Sequence, residues 1–415
     1  MVPNRWRDLY LNEFAKIIVS PVDKKTFENE IPVKLCNYTD VYYNERITKS
    51  ISFMNATAKK SEIEKFTLEL DDVIITKDSE TPGDIAVPAL VAEDLNGVVC
   101  GYHLAIVRTN KKLALGSFIN YLFSMPEIRY YFFTLATGAT RFGLSIGGIN
   151  KAHFRLPPTP EQRKIATILG TWDKAISTTE RLIDNSKQQK KALMQQLLTG
   201  KKRLLDDSGK SFEGEWKEST VGSLGTIYSG GTPSTSNKEY WDGDINWITP
   251  TDITKQDSVY INSSVRRISS EGLKNSSAKL VPKGSLLVCT RATIGEMAIT
   301  AHEMCTNQGF KNIIPYKNTN IEFFFYLLTY EKHKLVSKAS GSTFLELSKS
   351  AFESMKFNVP SIDEQEKIAD VLTNAYKEID LLEQQLSDLK QEKTALMQQL
   401  LTGKRRVKVD EKDVA

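Results

Sequence analysis

The stretch Ala192-Leu-Met-Gln-Gln-Leu-Leu-Thr-Gly-Lys201 recurs unchanged as Ala395-Leu-Met-Gln-Gln-Leu-Leu-Thr-Gly-Lys404, 203 residues further on. Extended without gaps, residues 157–203 match residues 360–406 at 24 of 47 positions, so the chain carries an internal duplication and its plan must be read twice. The same offset reaches back to Thr137-Gly138-Ala139-Thr140 against Ser340-Gly341-Ser342-Thr343, and to Phe154 against Phe357. Earlier the offset becomes 212: Thr39-Asp40-Val41 aligns with Thr251-Asp252-Ile253, and Thr81, Gly83 and Ala86 with Thr293, Gly295 and Ala298. The first copy therefore holds nine extra residues, placed by this spacing between Val87 and Phe118. Each copy is a diverged globular part followed by a well-kept helical part.

The helical parts show a heptad seam. In the second copy Ile368, Leu372, Ala375, Ile379, Leu382, Leu386, Leu389, Lys393, Leu396 and Leu400 step by alternating four and three. The same frame in the first copy takes Ile165, Leu169, Trp172, Ile176, Thr179, Ile183, Ser186, Lys190, Leu193 and Leu197. Pro160-Glu161 and Asp363-Glu364 suit helix starts, and Gly200 and Gly403 suit helix ends. A run of about 37 residues is ~55 Å of helix. One apolar stripe on so long a helix has to be buried, and the other copy supplies the partner. Lys190 and Lys393 share one seam position, where a lysine must either extend its amine outward or set the register.

The globular parts read as mixed α and β. Runs rich in β-formers, Asp72–Thr76, Val98–Val107, Ser285–Thr290 and Asn312–Pro315, alternate with turn clusters, and helical stretches follow at Phe118–Leu135 and Ile321–Lys338. The expected organisation is a reader at 1–156, a central helix at 157–203, a polar linker at 204–215, a second reader at 216–359, a C-terminal helix at 360–406 and a tail at 407–415. The fold class is α+β: two mixed α/β domains joined by two long antiparallel coiled-coil helices, with a pseudo-two-fold tandem repeat.

At 415 residues the chain is too long for one core. It has no apolar run of 18 residues and no secretory leader pattern in Met1–Tyr10, so a cytoplasmic location is expected. Cys36, Cys100, Cys289 and Cys305 stand far apart, which argues for buried thiols and against a zinc or disulfide framework. Net charge is +4, and the readers are nearly balanced, with 19 basic and 18 acidic residues in 1–156 and 16 and 13 in 216–359. Bulk charge is thus no proof of a nucleic-acid partner; a basic footprint would have to come from clustering.

Catalytic motifs are missing. Gly225-Thr-Ile-Tyr-Ser-Gly230-Gly231-Thr232 has the glycine spacing of a phosphate-binding loop, but Gly231 stands where the lysine is needed. No Asn/Asp-Pro-Pro-aromatic tetrad of an adenine methyltransferase occurs, and no upstream carboxylate is clearly placed beside Glu215-x-Lys217. His103, His153, His302 and His333 form no ligand pair. We therefore expect no catalytic residue, metal site or cofactor in this chain.

Asp363-Glu-Gln-Glu-Lys-Ile-Ala369, the long helix and Leu-Leu-Thr-Gly-Lys404 resemble the repeat of type I restriction–modification specificity subunits, as does Glu161-Gln-Arg-Lys-Ile-Ala166 through Lys201. Ser229-Gly-Gly-Thr-Pro-Ser234, Tyr240-Trp241, Ile245-Asn-Trp-Ile248, Asp252, Ala292-Thr-Ile-Gly295, Asn307-Gln308 and Ser340-Gly-Ser-Thr343 are similar to a target recognition domain of that family. The first reader departs from this pattern: nothing like Gly230-Gly231-Thr232 occurs near Ile18–Val22, and Tyr102-His103 stands about where Asn307-Gln308 does. The resemblance implies a sequence-specific DNA-binding subunit that reads a split target. It implies double-stranded DNA, two modification (methyltransferase) subunits and, through them, restriction (translocase/nuclease) subunits as partners. S-adenosylmethionine, ATP and magnesium would serve those partners, for adenine methylation and DNA cleavage.

A reader–helix–reader–helix order with antiparallel helices presents two readers in inverted orientation, and two different readers should read different half-sites. Polar and aromatic groups on turn-rich loops are the candidate contacts, since Arg, Lys, Asn and Gln suit base edges and hydroxyls suit phosphates. In the second reader these are Ser229, Thr232, Ser234, Thr249, Arg291, Thr293, Asn307, Gln308, Ser342 and Thr343. In the first they are Asn37, Tyr38, Lys77, Thr81, Tyr102, His103, Thr140 and Arg141. For each the plain alternative is a turn residue or a solvated side chain. Trp216, Trp241 and Trp247 read as packing residues. Two other classes stay open: a self-contained nuclease or methyltransferase, testable on the purified chain, and a coiled-coil scaffold without a DNA role.

Overall fold

The computed structural model describes residues 5–256, 258–340 and 345–409. The chain forms two units, Met1–Thr179 with Gln385–Ala415, and Glu180–Gln384. Both units are built to one plan. In the first, a five-stranded sheet runs in the order Ala15–Val19, Leu104–Thr109, Val73–Thr76, Pro88–Val91, Arg46–Ile47, antiparallel except for its last pair. In the second, the order is Gly225–Ser229, Phe310–Pro315, Leu286–Cys289, Met297–Thr300, Tyr260–Ile261, again with only the last pair parallel. A three-stranded sheet accompanies each: Met54–Ala58, Ile31–Cys36 and Val99–Cys100 in one, and Arg267–Ile268, Trp241–Ile248 and Cys305–Thr306 in the other. Val73–Thr76 and Leu286–Cys289 are buried at every position, which is why they read as unbroken apolar runs in place of alternating ones.

Three runs differ from expectation. The run Val98–Val107 is two strands, Val99–Cys100 and Leu104–Thr109, separated by a turn in which His103 takes φ +73°. The helical stretches at 118–135 and 321–338 each break in two. Pro126 starts the second piece of the first pair, Pro126–Leu135, because it cannot donate to the preceding turn. The second pair, Ile321–Tyr330 and Lys332–Lys338, parts at Glu331.

The two long helices are Thr159–Leu197 and Ile362–Leu400. Gly200 (φ +67°) and Gly403 (φ +72°) end them in the left-handed conformation, and the amides of Lys202 and Arg405 return to the carbonyls of Gln196 and Gln399. In the first unit Ile165 and Leu169 pack with Leu400 and Leu401; in the second, Leu197 and Leu198 pack with Ile368 and Leu372. Within each unit the start of one helix therefore meets the end of the other, an antiparallel pairing. All the seam positions are buried or half-buried.

Two salt bridges close the helix ends. Arg203 binds the buried Glu364 through Nε at 2.6 Å and a second nitrogen at 2.8 Å, and Arg406 binds the buried Glu161 in the same forked way at 2.6 and 2.7 Å. The shared seam position is solved in two ways. Lys393 reaches Asp173 at 2.5 Å, beside the Tyr121 hydroxyl, which also donates to Asp173. Lys190 has no such carboxylate at the equivalent place; Asp173 is replaced by Tyr376, and the ammonium lies 4.5 Å above that ring. Burial lowers the pKa of Lys190, with Glu383 opposing the shift.

Candidate nucleic-acid interface

In the second unit the candidate loops converge around the end of Gly225–Ser229. The amide of Gly231 donates to the Thr306 carbonyl and that of Asn307 to the Ile248 carbonyl, while the Thr232 hydroxyl donates to Gln308. A Cβ on Gly230 would sit 1.9 Å from the Asn307 carbonyl oxygen, and one on Gly231 would sit 2.4 Å from the Ala278 nitrogen. These glycines are required by close backbone approach, and together they bring Thr232, Asn307 and Gln308 onto one patch. Thr249 lies alongside: its hydroxyl and amide bind Asp252 at 2.5 and 2.8 Å, capping a short helix. Arg291 is exposed and borders Gly309, where an added Cβ would lie 3.8 Å from its own Cβ. Ser229 is an exposed end of the strand ladder, opposite Lys311. The Ser234 hydroxyl meets Ser236 at 2.8 Å. Thr293 turns its hydroxyl inward, where it is buried, so it does not join the polar surface. Ser342 and Thr343 lie outside the described residues.

The tryptophans organise this loop. Trp247 is buried and its indole N–H donates to the Gly231 carbonyl at 2.8 Å; Trp241 donates to the Ser234 carbonyl at 3.1 Å. Both stand on strand Trp241–Ile248, whose register shifts between Trp241 and Ile245, and their rings meet at 87° and 5.0 Å. Arg266 fills the corner between them, its guanidinium carbon 3.8 Å from the Trp241 ring and 5.1 Å from that of Trp247. Lys279, next to Ala278 of the Gly231 contact, lies 4.8 Å above the Tyr228 ring. Neither Arg266 nor Lys279 stands out in the sequence; the basic pair Arg266-Arg267 behind the turn-forming Asn262-Ser263-Ser264 was the available signal.

The first unit gathers its candidates differently. Ser20-Pro21-Val22 follows strand Ala15–Val19 where the glycine pair stands in the second unit, and the Ser20 hydroxyl donates to the Cys100 carbonyl at 2.5 Å. The amide of Gly101 donates to the Cys36 carbonyl, matching the Asn307–Ile248 bond, and Tyr102 donates to the Val22 carbonyl. Asn37 caps a short helix, with its amide on Asp40 at 2.8 Å. Tyr38 meets Ser79 at 3.1 Å and stacks on Tyr42, whose hydroxyl donates to Asp84. Thr81 donates to the same Asp84 at 2.5 Å. Lys77 and His103 both face Asp78, at 2.6 and 3.2 Å, and Tyr102 packs on the His103 ring. Thr140 and Arg141 are exposed at the tip of a hairpin whose strand Phe142–Gly143 pairs with Asp78–Ser79. Asp78 and Asp84 thus absorb much of the hydrogen-bonding capacity of Lys77, His103, Thr81 and Tyr42. Arg141, Tyr102 and the neighbouring Tyr43, 76 % exposed, remain on the surface. Tyr38 is held above its usual pKa by burial, and Tyr42 by its bond to Asp84.

No thiol chemistry is built in. All four cysteines are buried and unbridged, and burial pushes Cys289 and Cys305 up to about 12. Among the described residues no group of three or more His, Cys, Asp or Glu side chains could hold a metal, and no helix is long and apolar enough to cross a membrane.

A doubled α+β plan with long helices and a polar loop cluster in each copy defines a class of DNA specificity proteins, and the chain belongs to the family described as the type I restriction modification DNA specificity domain, whose model matches residues 3–186 and 213–391. It is 25% identical to the putative type I restriction enzyme MjaX specificity subunit of Methanocaldococcus jannaschii, over 98% of this chain and 95% of that one. A stretch of 164 residues is 40% identical to the MjaIX specificity subunit of the same organism; it spans 38% of this chain and 37% of that relative. The fold is similar to the crystal structure of the HsdS subunit from Thermoanaerobacter tengcongensis, with TM-score 0.52, 19% identity and coverage of 97% and 98% of the two chains.

Proposed function

We propose that this chain is the recognition subunit of a type I restriction–modification complex, and that it reads an asymmetric bipartite DNA target. Residues 1–156 would read one half-site and residues 216–359 the other. The observation that carries the reading is the duplication of one fold with different loop chemistry in its two copies: a carboxylate-tied tyrosine and histidine cluster in one, and a glycine loop clasped by tryptophans in the other. Two copies of one scaffold supply two similar approaches to DNA, and different loops supply different base preferences. The candidate contacts remain those named above apart from Thr293; Ser229, Ser234, Arg291 and Gln308 in one copy and Thr81, Tyr102, Thr140 and Arg141 in the other are exposed, with Thr232 and Asn307 half-buried beside Gln308.

Catalysis in this reading belongs to partners. Two modification subunits would bring S-adenosylmethionine and methylate adenine, and restriction subunits would bring ATP and magnesium chemistry. The complex would act in the cytoplasm, where the host DNA lies. The long helices would serve as the spacer between half-sites.

The test is to assemble the chain with its modification subunits and map methylated adenines genome-wide. One split motif is expected. Exchanging residues 1–156 for the reader of another family member should change one half of that motif and leave the other intact. A swap that altered both halves, or methyl transfer by the purified chain alone, would contradict the reading.

A further inference from the structure

We propose that Arg266 is a base-reading residue of the second reader and presents its guanidinium edge to a guanine in one half-site. This rests on the DNA-reading role proposed above and names a contact within it.

Three observations carry it. The guanidinium carbon lies 3.8 Å from the Trp241 ring and 5.1 Å from that of Trp247, two indoles set perpendicular to one another. A guanidinium held against an indole can lie on it by its flat face and keep its N–H edge for a partner. Arg266 is nonetheless exposed, and among the described residues no carboxylate pairs with it, whereas Arg46, Arg108, Arg155, Arg203 and Arg406 each have one.

The backbone beneath it is also fixed. Its carbonyl accepts from the Trp247 amide at 3.2 Å and from the Ser264 hydroxyl at 2.5 Å. The amide of Val265 donates to Asp252 at 2.9 Å and that of Ser264 to Asn246 at 3.2 Å. Asp252 also holds Thr249, so the loop bearing Arg266 is tied to the loop bearing a candidate contact. The same two indoles hold Gly231 and Ser234 through their N–H groups. One aromatic corner therefore orients both the glycine loop and the arginine. A hydrogen-bonded backbone and a guanidinium seated against two indoles leave little freedom to lose on binding.

The chemistry selects the ligand. A planar fork with two parallel N–H groups matches O6 and N7 of guanine in the major groove. A phosphate accepts the same fork, but it does not need the fork held in one plane, and Lys would serve it as well.

The experiment uses the assembled modification complex with Arg266→Lys, Arg266→Ala and Arg267→Ala variants. Arg267, the next residue and the first of strand Arg267–Ile268, is also exposed, and no ring holds it among the described residues. Methylation motifs are mapped, and binding to the cognate site is titrated against salt. We expect the wild-type motif to hold a guanine in the half-site assigned to residues 216–359. Arg266→Lys should relax that single position by roughly 5- to 150-fold in discrimination, with the other half-site unchanged. Arg267→Ala should leave the motif as it is. Should Arg266→Ala prevent assembly by uncovering the indoles, Arg266→Lys decides, because its stem still covers them. An unchanged motif in the Lys variant overturns the proposal while leaving the DNA-reading role in place. So does a uniform loss of binding restored by Lys, which marks a phosphate contact. A wild-type complex that methylates with no defined motif would overturn the reading itself.

Discussion

Replacing Lys393 and Lys190 by methionine, one at a time, should have opposite consequences, although the two lysines occupy the same place in the repeat. Lys393 is 15 % exposed and pairs at 2.5 Å with Asp173, itself 14 % exposed. Removing one member of a buried pair typically costs ~3–5 kcal/mol, because the other charge is left stranded. Asp173 would keep the Tyr121 hydroxyl and, at 3.4 Å, Arg46, so the cost of Lys393→Met should fall at about 2–3 kcal/mol. Lys190 strands nothing when removed: Glu383 keeps Lys187 at 2.6 Å, and only the ring of Tyr376 loses its cation, worth about 0.5–2 kcal/mol. Methionine offsets that by ending the burial of an ammonium, so Lys190→Met should be neutral or stabilising by about 1 kcal/mol. The pH dependence separates the two further. The folded pKa of Lys190 is lowered below 10.5, so between the lowered value and 10.5 the unfolded chain binds more protons and stability rises with pH. Below that window the cost is fully present, and above it the cost vanishes; Lys190→Met should remove this alkaline rise. The assay is hydrogen exchange resolved by residue, with urea titration, since a chain of two units need not unfold in one step. Lys393→Met should lose protection in the first unit, and the pair Lys393→Met with Asp173→Leu should regain most of it. Equal destabilisation by both lysine substitutions, or no rescue by the double variant, would refute the reasoning.

Arg203→Met should open the end of the second unit by about 3–5 kcal/mol, because Glu364 is 1 % exposed and would keep no cation among the described residues, and the added change Glu364→Met should recover much of the loss in a double-mutant cycle. Gly231→Ala should displace the loop through Thr232, since its methyl group would fall 2.4 Å from the Ala278 nitrogen; in the assembled complex we expect loss of the half-site read by residues 216–359, with the other half-site still selected in binding assays.

Much of this architecture was legible in residue order. A repeat of 24 identities in 47 positions can only be satisfied by two copies of one local structure, and the helices are spelled out by seam, start and Gly200 or Gly403 at the end. These features depend on neighbours within a few turns, which sequence spacing records. The breaks at Ser124–Pro126 and Glu331 were less visible, because both halves are apolar enough to pass for one helix.

The polar surface was a different matter. Thr232, Asn307 and Gln308 stand up to 76 residues apart and meet only because two glycines allow backbones to touch. Thr293 carries the same hydroxyl as Thr232 but turns it into the interior, a choice made by the turn around Gly295. Lys77 and His103 look like free DNA contacts in the bare sequence, yet Asp78 lies against both. Arg266 shows the reverse: one exposed arginine among many, marked out only when Trp241 and Trp247 close on it. The sequence alone determined that there are two copies of one mixed α/β part and two long helices, because periodicity and repetition are local. Which side chains stand exposed, and which are tied to a carboxylate or a ring, was decided by tertiary contacts between residues far apart in the chain, whose charges and faces cancel or reinforce only at distances of a few ångströms.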